Sequence, residues 1–217
     1  MSVIHVFAHS CSRGALLIAP LVLALSACSG NPAPPTSPPA LGEAPAIEEG
    51  WHATYRTTKV FDAPLEPLLA WLSSGEEPLL AAMEETDRIK KPVELKVVRG
   101  QWPEVGAVRW LRFSDGHYTY ERVLVSDLPR RFQYQVFGLT SEAADHITYA
   151  RGQQEWRALP DGRTELVWTY ELRPNSIIKR PFVQDFLDSE MKPFMDGALD
   201  RVAVRAKAQF ADNGTGG

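Results

Sequence analysis

Between His52 and Phe210 the apolar positions change period three times. His52 to Phe61 is rich in β-branched and aromatic residues and is stopped by Asp62-Ala63-Pro64, which predicts a strand. Leu65, Leu68, Leu69, Trp71 and Leu72 then recur at helical spacing. Gly75 breaks that run, and Leu79, Leu80 and Met83 predict a second short helix over Glu76 to Thr86. Six stretches of strand character follow: 93–97, 105–113, 117–127, 131–138, 147–159 and 163–173. Ser114-Asp115-Gly116, Leu128-Pro129 and Pro160-Asp161-Gly162 supply turns between them.

The later strands show their faces. Leu166, Trp168, Tyr170 and Leu172 alternate with Glu165, Thr169 and Glu171, Val167 being the exception. Trp156 and Ala158 alternate with Glu155 and Arg157, and Phe132, Tyr134 and Val136 with Arg131, Gln133 and Gln135. One apolar and one polar face predict an antiparallel sheet covered on one side only. The cover is the stretch from Ile177 to about Phe210. There Phe182, Phe186, Leu187, Met191, Phe194, Met195, Leu199 and Val202 keep a 3.6-residue period. Pro181 suits a first helical turn, whereas Pro193 must kink the helix or split it. The pattern is that of an α+β domain over residues 51–212, with a flexible tail at 213–217.

The chain ahead of this domain reads differently. Arg13 is followed by an apolar run from Gly14 to Ala27. About 14 residues are too few for a permanent transmembrane helix, which needs roughly 20. A basic flank, a short apolar segment and small residues at its end are the layout of a cleavable export signal, here residues 1–27. The segment ends Leu25-Ser26-Ala27-Cys28, which resembles the bacterial lipobox. That resemblance implies a diacylglyceryl group on Cys28, cleavage before it and acylation of the new amino terminus, with palmitate the expected chain. Each buried methylene contributes about 0.8 kcal/mol to such anchoring. Ser29 rather than Asp after the cysteine implies, by resemblance to Gram-negative lipoproteins, the outer membrane. Residues 28–50 hold Pro32, Pro34, Pro35, Pro38, Pro39 and Pro45 among small and acidic residues. Composition predicts an extended, solvated tether reaching up to about 70 Å if it approaches polyproline II.

Composition narrows the function classes. The chain has 217 residues, 44% apolar and 23% charged, with a formal charge of −4, which is ordinary for a water-soluble globular protein. An acidic balance gives no electrostatic reason to bind nucleic acid. Removal of the leader takes Arg13 and Cys11, so the mature fold contains no thiol besides Cys28 and no internal disulfide. There is no nucleophile elbow, phosphate loop or dinucleotide fingerprint. His52, His117 and His146 lie in unrelated segments without zinc spacing, so no metal and no cofactor are expected. His117, beside the Asp115-Gly116 turn, reads as a solvated hairpin residue.

Several strings, in this order, resemble the START-like superfamily SRPBCC, and within it the polyketide cyclase/dehydrase-like group. They are Phe61-Asp62-Ala63-Pro64 leading to Trp71, Val105-Gly106-Ala107-Val108-Arg109, Tyr120-Glu121-Arg122-Val123 through Leu128-Pro129 to Phe132-Gln133-Tyr134, and Asp161-Gly162-Arg163-Thr164 leading to Trp168. The resemblance covers nearly all of residues 52–210. It implies a helix-grip fold, in which a curved antiparallel sheet of about seven strands wraps a long C-terminal helix and encloses a cavity. Tyr134, Trp156, Trp168 and Tyr170 from strands, with Phe186, Met191 and Met195 from the helix, are the candidate cavity lining. Methionine adapts to irregular apolar shapes. Arg109, Glu121 and Arg122 are the candidate polar groups, but strand parity leaves their face open. Inside, they would serve acid–base work; outside, a cross-strand ion pair. Three readings stand. The first is an envelope lipoprotein binding or shuttling a lipid, quinone or other hydrophobic small molecule. The second is a cyclase- or dehydrase-like enzyme on an apolar substrate, and the third an interaction protein whose cavity is filled by Trp156 and Trp168.

Overall fold

The computed structural model describes residues 32–74 and 78–211. The export signal, Cys28, Gly75 and the tail from residue 213 lie outside the described residues. One seven-stranded antiparallel sheet runs in the order β1-β7-β6-β5-β4-β3-β2. Its strands are β1 (Ala53–Phe61), β2 (Pro92–Arg99), β3 (Val108–Phe113), β4 (Tyr118–Asp127), β5 (Arg131–Phe137), β6 (Ile147–Ala158) and β7 (Thr164–Pro174). Strands β2 to β7 form a meander and β1 pairs with the last of them. Two helices, α1 (Leu65–Leu72) and α2 (Pro78–Ala81), link β1 to β2. The second is shorter than its apolar pattern predicts. Thr86 ends the region by bonding locally, its Oγ1 accepting from Ile89 N at 2.9 Å and its N–H donating to Ile89 O at 3.0 Å, a competitor to helix. Strand β3 starts three residues later than predicted because Gly106, at φ 85°, turns the chain.

After β7 come a 3-10 turn (Ile177–Lys179), α3 (Arg180–Phe186), a π-helical turn (Leu187–Met191) and α4 (Lys192–Ala211). Pro181 occupies the first turn of α3. Pro193 has no N–H for the preceding turn, and its ring crowds the carbonyl four residues back. The chain widens into the π turn just ahead of it, so the helix is interrupted without being lost. Helix α4 is fastened to the edge strand β1. The hydroxyls of Tyr55 and Thr57 both donate to the Asp196 carboxylate, and Lys59 pairs with Asp200. From the other side Arg201 Nε donates to the Ala82 carbonyl at 2.6 Å, binding α4 to the α2 region. The sheet grips the helix, and the main core lies between them: Phe61, Leu166, Trp168, Leu172, Leu187, Leu199 and Val202.

A second core lies on the outer face of the sheet, where a solvated surface is expected. Val108, Trp110, Tyr118, Tyr120, Phe137 and Tyr149 are buried there under Leu41, Ala44 and Ile47. The proline-rich segment is therefore a strap from Pro34 onward and not a free spacer. Its half-buried positions are Pro35, Pro38, Leu41, Ala44 and Ile47, with Pro45 beside them. A repeat of three matches polyproline II, so one edge of the segment faces the sheet throughout. Hydrogen bonds follow the same path. Tyr120 Oη donates to Pro39 O, Gln135 Nε2 to Pro45 O at 2.9 Å, and Glu48 N to Tyr149 Oη at 3.0 Å. Arg173, buried with its guanidinium 3.7 Å from the Trp51 ring centre, donates to Gly50 O at 2.9 Å and pairs with Glu48.

Candidate ligand cavity

Side-chain alternation decides what faces the gripped helix. A cavity of about 960 Å³ lies between the inner face of the sheet and the helices. That is near the upper end of the range for small-molecule sites. All seven apolar candidates line it: Tyr134 of β5, Trp156 of β6, Trp168 and Tyr170 of β7, Phe186 of α3, Met191 of the π turn and Met195 of α4. Trp156 and Trp168 form wall and leave the space open, so the filled-cavity reading loses its basis. Their Nε1 atoms are buried without a hydrogen bond, Trp168 only approaching the Tyr134 hydroxyl. Each orphan donor costs about 1–3 kcal/mol.

The polar candidates separate by strand parity. Arg109 and Glu121 are direct cross-strand partners, and both line the cavity. Arg109 Nε donates to Glu121 Oε2 at 2.7 Å, with the side chains only 12% and 11% exposed. The guanidinium also lies 3.9 Å from the Trp102 ring centre. The solvent-facing alternative for this pair is overturned: it is an ion pair on the cavity wall. Removing one partner of such a pair costs about 3–5 kcal/mol, because the other charge stays buried. Arg122 is a correction in the opposite sense. One residue along β4, its side chain must leave by the outer face, where Nη2 donates to Gln135 Oε1 at 2.8 Å beneath the strap. It does not reach the cavity. His117 is likewise buried instead of solvated; its Nδ1 lies 3.0 Å from Thr140 Oγ1.

Two phenols complete the polar set. Burial pushes the hydroxyls of Tyr134 and Tyr170 well above the ordinary tyrosine range, and the negative charge of Glu121 adds to both shifts. Both therefore remain protonated donors at neutral pH. Tyr134 has room because its strand partner is Gly152: a Cβ there would sit 2.2 Å from Tyr134 Cζ. Sequence reasoning did not single out Gly152, although an isolated glycine within a strand is the signal for such a close approach. It also missed the cavity walls from α1 and α2 (Leu69, Leu72, Leu79) and from the β5–β6 loop (Leu139, His146), for which pattern gives no cue. Among the described residues no group of three His, Cys, Asp or Glu is placed to hold a metal ion.

The model of the family described as polyketide cyclase / dehydrase and lipid transport matches residues 52–207. The chain belongs to this family. Its members' helix-grip fold is the one found here, as solved structures also show. A protein from Nitrosospira multiformis is 18% identical, with a TM-score of 0.51, over 72% of this chain and 97% of that one. Ara h 8.0201 is 14% identical, with a TM-score of 0.54, over 72% of this chain and 99% of that one. At these identities the likeness is one of fold. No curated protein matches the sequence.

Proposed function

We propose that this family member is a lipidated envelope protein, facing the periplasm, whose domain holds or shuttles a hydrophobic small molecule such as a lipid or quinone. The observation that carries the reading is the open, mostly apolar cavity of about 960 Å³ with a few fixed polar groups in its wall. The family description, which joins polyketide cyclase/dehydrase with lipid transport, supports the ligand class. The polar groups favour binding over acid–base catalysis. Both phenols are shifted further from neutrality instead of towards it, whereas a general base needs a pKa near the working pH, and the Glu121 carboxylate is already engaged by Arg109. They suit an acceptor group on an otherwise apolar molecule.

The anchor in this reading is Cys28, and Ser29 after it favours the outer membrane of a two-membrane cell. Native mass spectrometry of the gently purified mature chain is expected to reveal a bound apolar molecule. A ligand-free protein without measurable affinity for a panel of lipids and quinones would overturn the binding role. Cys28→Ala is expected to abolish incorporation of labelled palmitate; undiminished labelling would place the acyl group elsewhere.

A further inference from the structure

The strap changes what a lipid anchor at Cys28 does. A free spacer from residue 29 to 50 would let the domain wander tens of ångströms from the membrane in any orientation. Instead the chain is held from Pro34, which packs against Gly116 in the β3–β4 turn: a Cβ on Gly116 would meet Pro34 Cβ at 3.1 Å. Six peptide units separate Cys28 from Pro34, and fully extended they span no more than about 22 Å. Whatever path they take, an acyl group on Cys28 keeps that turn close to the bilayer.

The β3–β4 turn belongs to one end of the sheet. Antiparallel alternation places the β5–β6 loop and the start of the C-terminal helix at the same end. The cavity lining is exposed at both ends of the sheet, at Leu128 in the β4–β5 turn and, at this end, at Asp115, Glu142 and Phe182. Here too lies a cluster of exposed apolar side chains: Ile177 at 54%, Ile178 at 85% and Phe182 at 48%. Three large apolar residues exposed within six positions at a cavity mouth form a contact surface, not scattered exposure. Glu85, Asp115, Glu142 and Asp145 share this end with Lys90, Lys91, Lys179 and Arg180, so charge is mixed and the contact is apolar. That composition suits the interior of a zwitterionic bilayer, with the basic side chains at headgroup level.

We infer that the strap and the acylated Cys28 together hold the cavity mouth against the bilayer, with Ile177, Ile178 and Phe182 inserted among the acyl chains, so that the ligand passes between membrane and cavity without crossing water. This rests on the proposed lipidation. The test uses the mature acylated chain in phosphatidylcholine vesicles, with a bimane label on Ile178→Cys or, at the opposite end, on Asp161→Cys. Nitroxide-bearing lipids are expected to quench the Ile178 label by half or more and to leave the Asp161 label unaffected. Failure of the protein to float with the vesicles would overturn the anchor, and the orientation with it. Flotation with both labels quenched equally, or neither, would overturn the orientation alone. Ile178→Asp is further expected to slow transfer of a fluorescent long-chain fatty acid between vesicles about tenfold, whereas Val204→Asp, an exposed site on α4, leaves the rate unchanged. Equal rates for both variants would count against direct exchange.

Discussion

Gly152→Ala isolates the packing that keeps the cavity open. Gly152 lies opposite Tyr134 on β5 and Tyr170 on β7. Its φ is not positive, so alanine brings no backbone strain. The new methyl group would sit 2.2 Å from Tyr134 Cζ and 2.5 Å from Cε1 and Oη, where ordinary contact is 3.4–4 Å. The ring must retreat by more than an ångström, and with the strand behind it the open direction is the cavity. Overpacking of this kind costs about 1–3 kcal/mol, against roughly 0.4–1 kcal/mol that Gly→Ala returns through the unfolded chain. The net cost is then at most about 2.6 kcal/mol, and at about 2–4 °C per kcal/mol for a domain of this size the midpoint of thermal unfolding should fall by up to about 10 °C. Affinity for an apolar fluorophore should fall about tenfold, as expected if 1.4 kcal/mol of the clash is felt in the bound state. The decisive comparison is the same substitution in a Tyr134→Leu background, where the clash is absent and Gly152→Ala should be neutral or slightly stabilising. An equal loss in both backgrounds would refute the reasoning, because the glycine would then serve something other than the phenol.

Two further predictions concern the outer face and the gripped helix. Ile47→Asp should lower stability by about 1–2 kcal/mol in thermal unfolding, because a half-buried apolar contact is replaced by a charge over the aromatic cluster; an unchanged midpoint would return residues 34–50 to the status of a spacer. Burial alone would raise the Asp196 carboxyl, but hydrogen bonds from Tyr55, Lys192 and Thr57 outweigh it and hold the group below the usual aspartate range. Its folded pKa is depressed, so its stabilisation is present above the unfolded pKa near 3.9 and is lost as pH falls through the folded value. Asp196→Asn should therefore start less stable at pH 7 and show a flatter decline in that acid window, read as unfolding midpoint against pH.

The inner half of the molecule was legible because one physical pressure shaped it. Burial against a single helix imposes a period of two on Leu166, Trp168, Tyr170 and Leu172 and of 3.6 on the helix, and both survive as pattern. β4 defeated that logic. Glu121 points into the cavity beside Arg109, while Arg122 lies beneath a strap, so both faces of the strand carry a charged side chain with a buried partner. Alternation reads burial against exposure, and it is silent when neither face is exposed. The strap escaped for a related reason. Its proline content says only that the backbone makes few hydrogen bonds of its own; the information lies in spacing, with Pro35, Pro38, Leu41, Ala44 and Ile47 three apart. That repeat also accounts for the aromatic residues on the supposedly polar face. Trp110, Tyr120, Phe137 and Tyr149 have no place on a solvated sheet, but each is explained once a threefold edge lies across them. Gln135 makes the same point in polar terms: wholly buried, it accepts from Arg122 and donates to Pro45 O, so without the strap its amide would be left short of a partner. The segment is thus part of the fold that the strands encode.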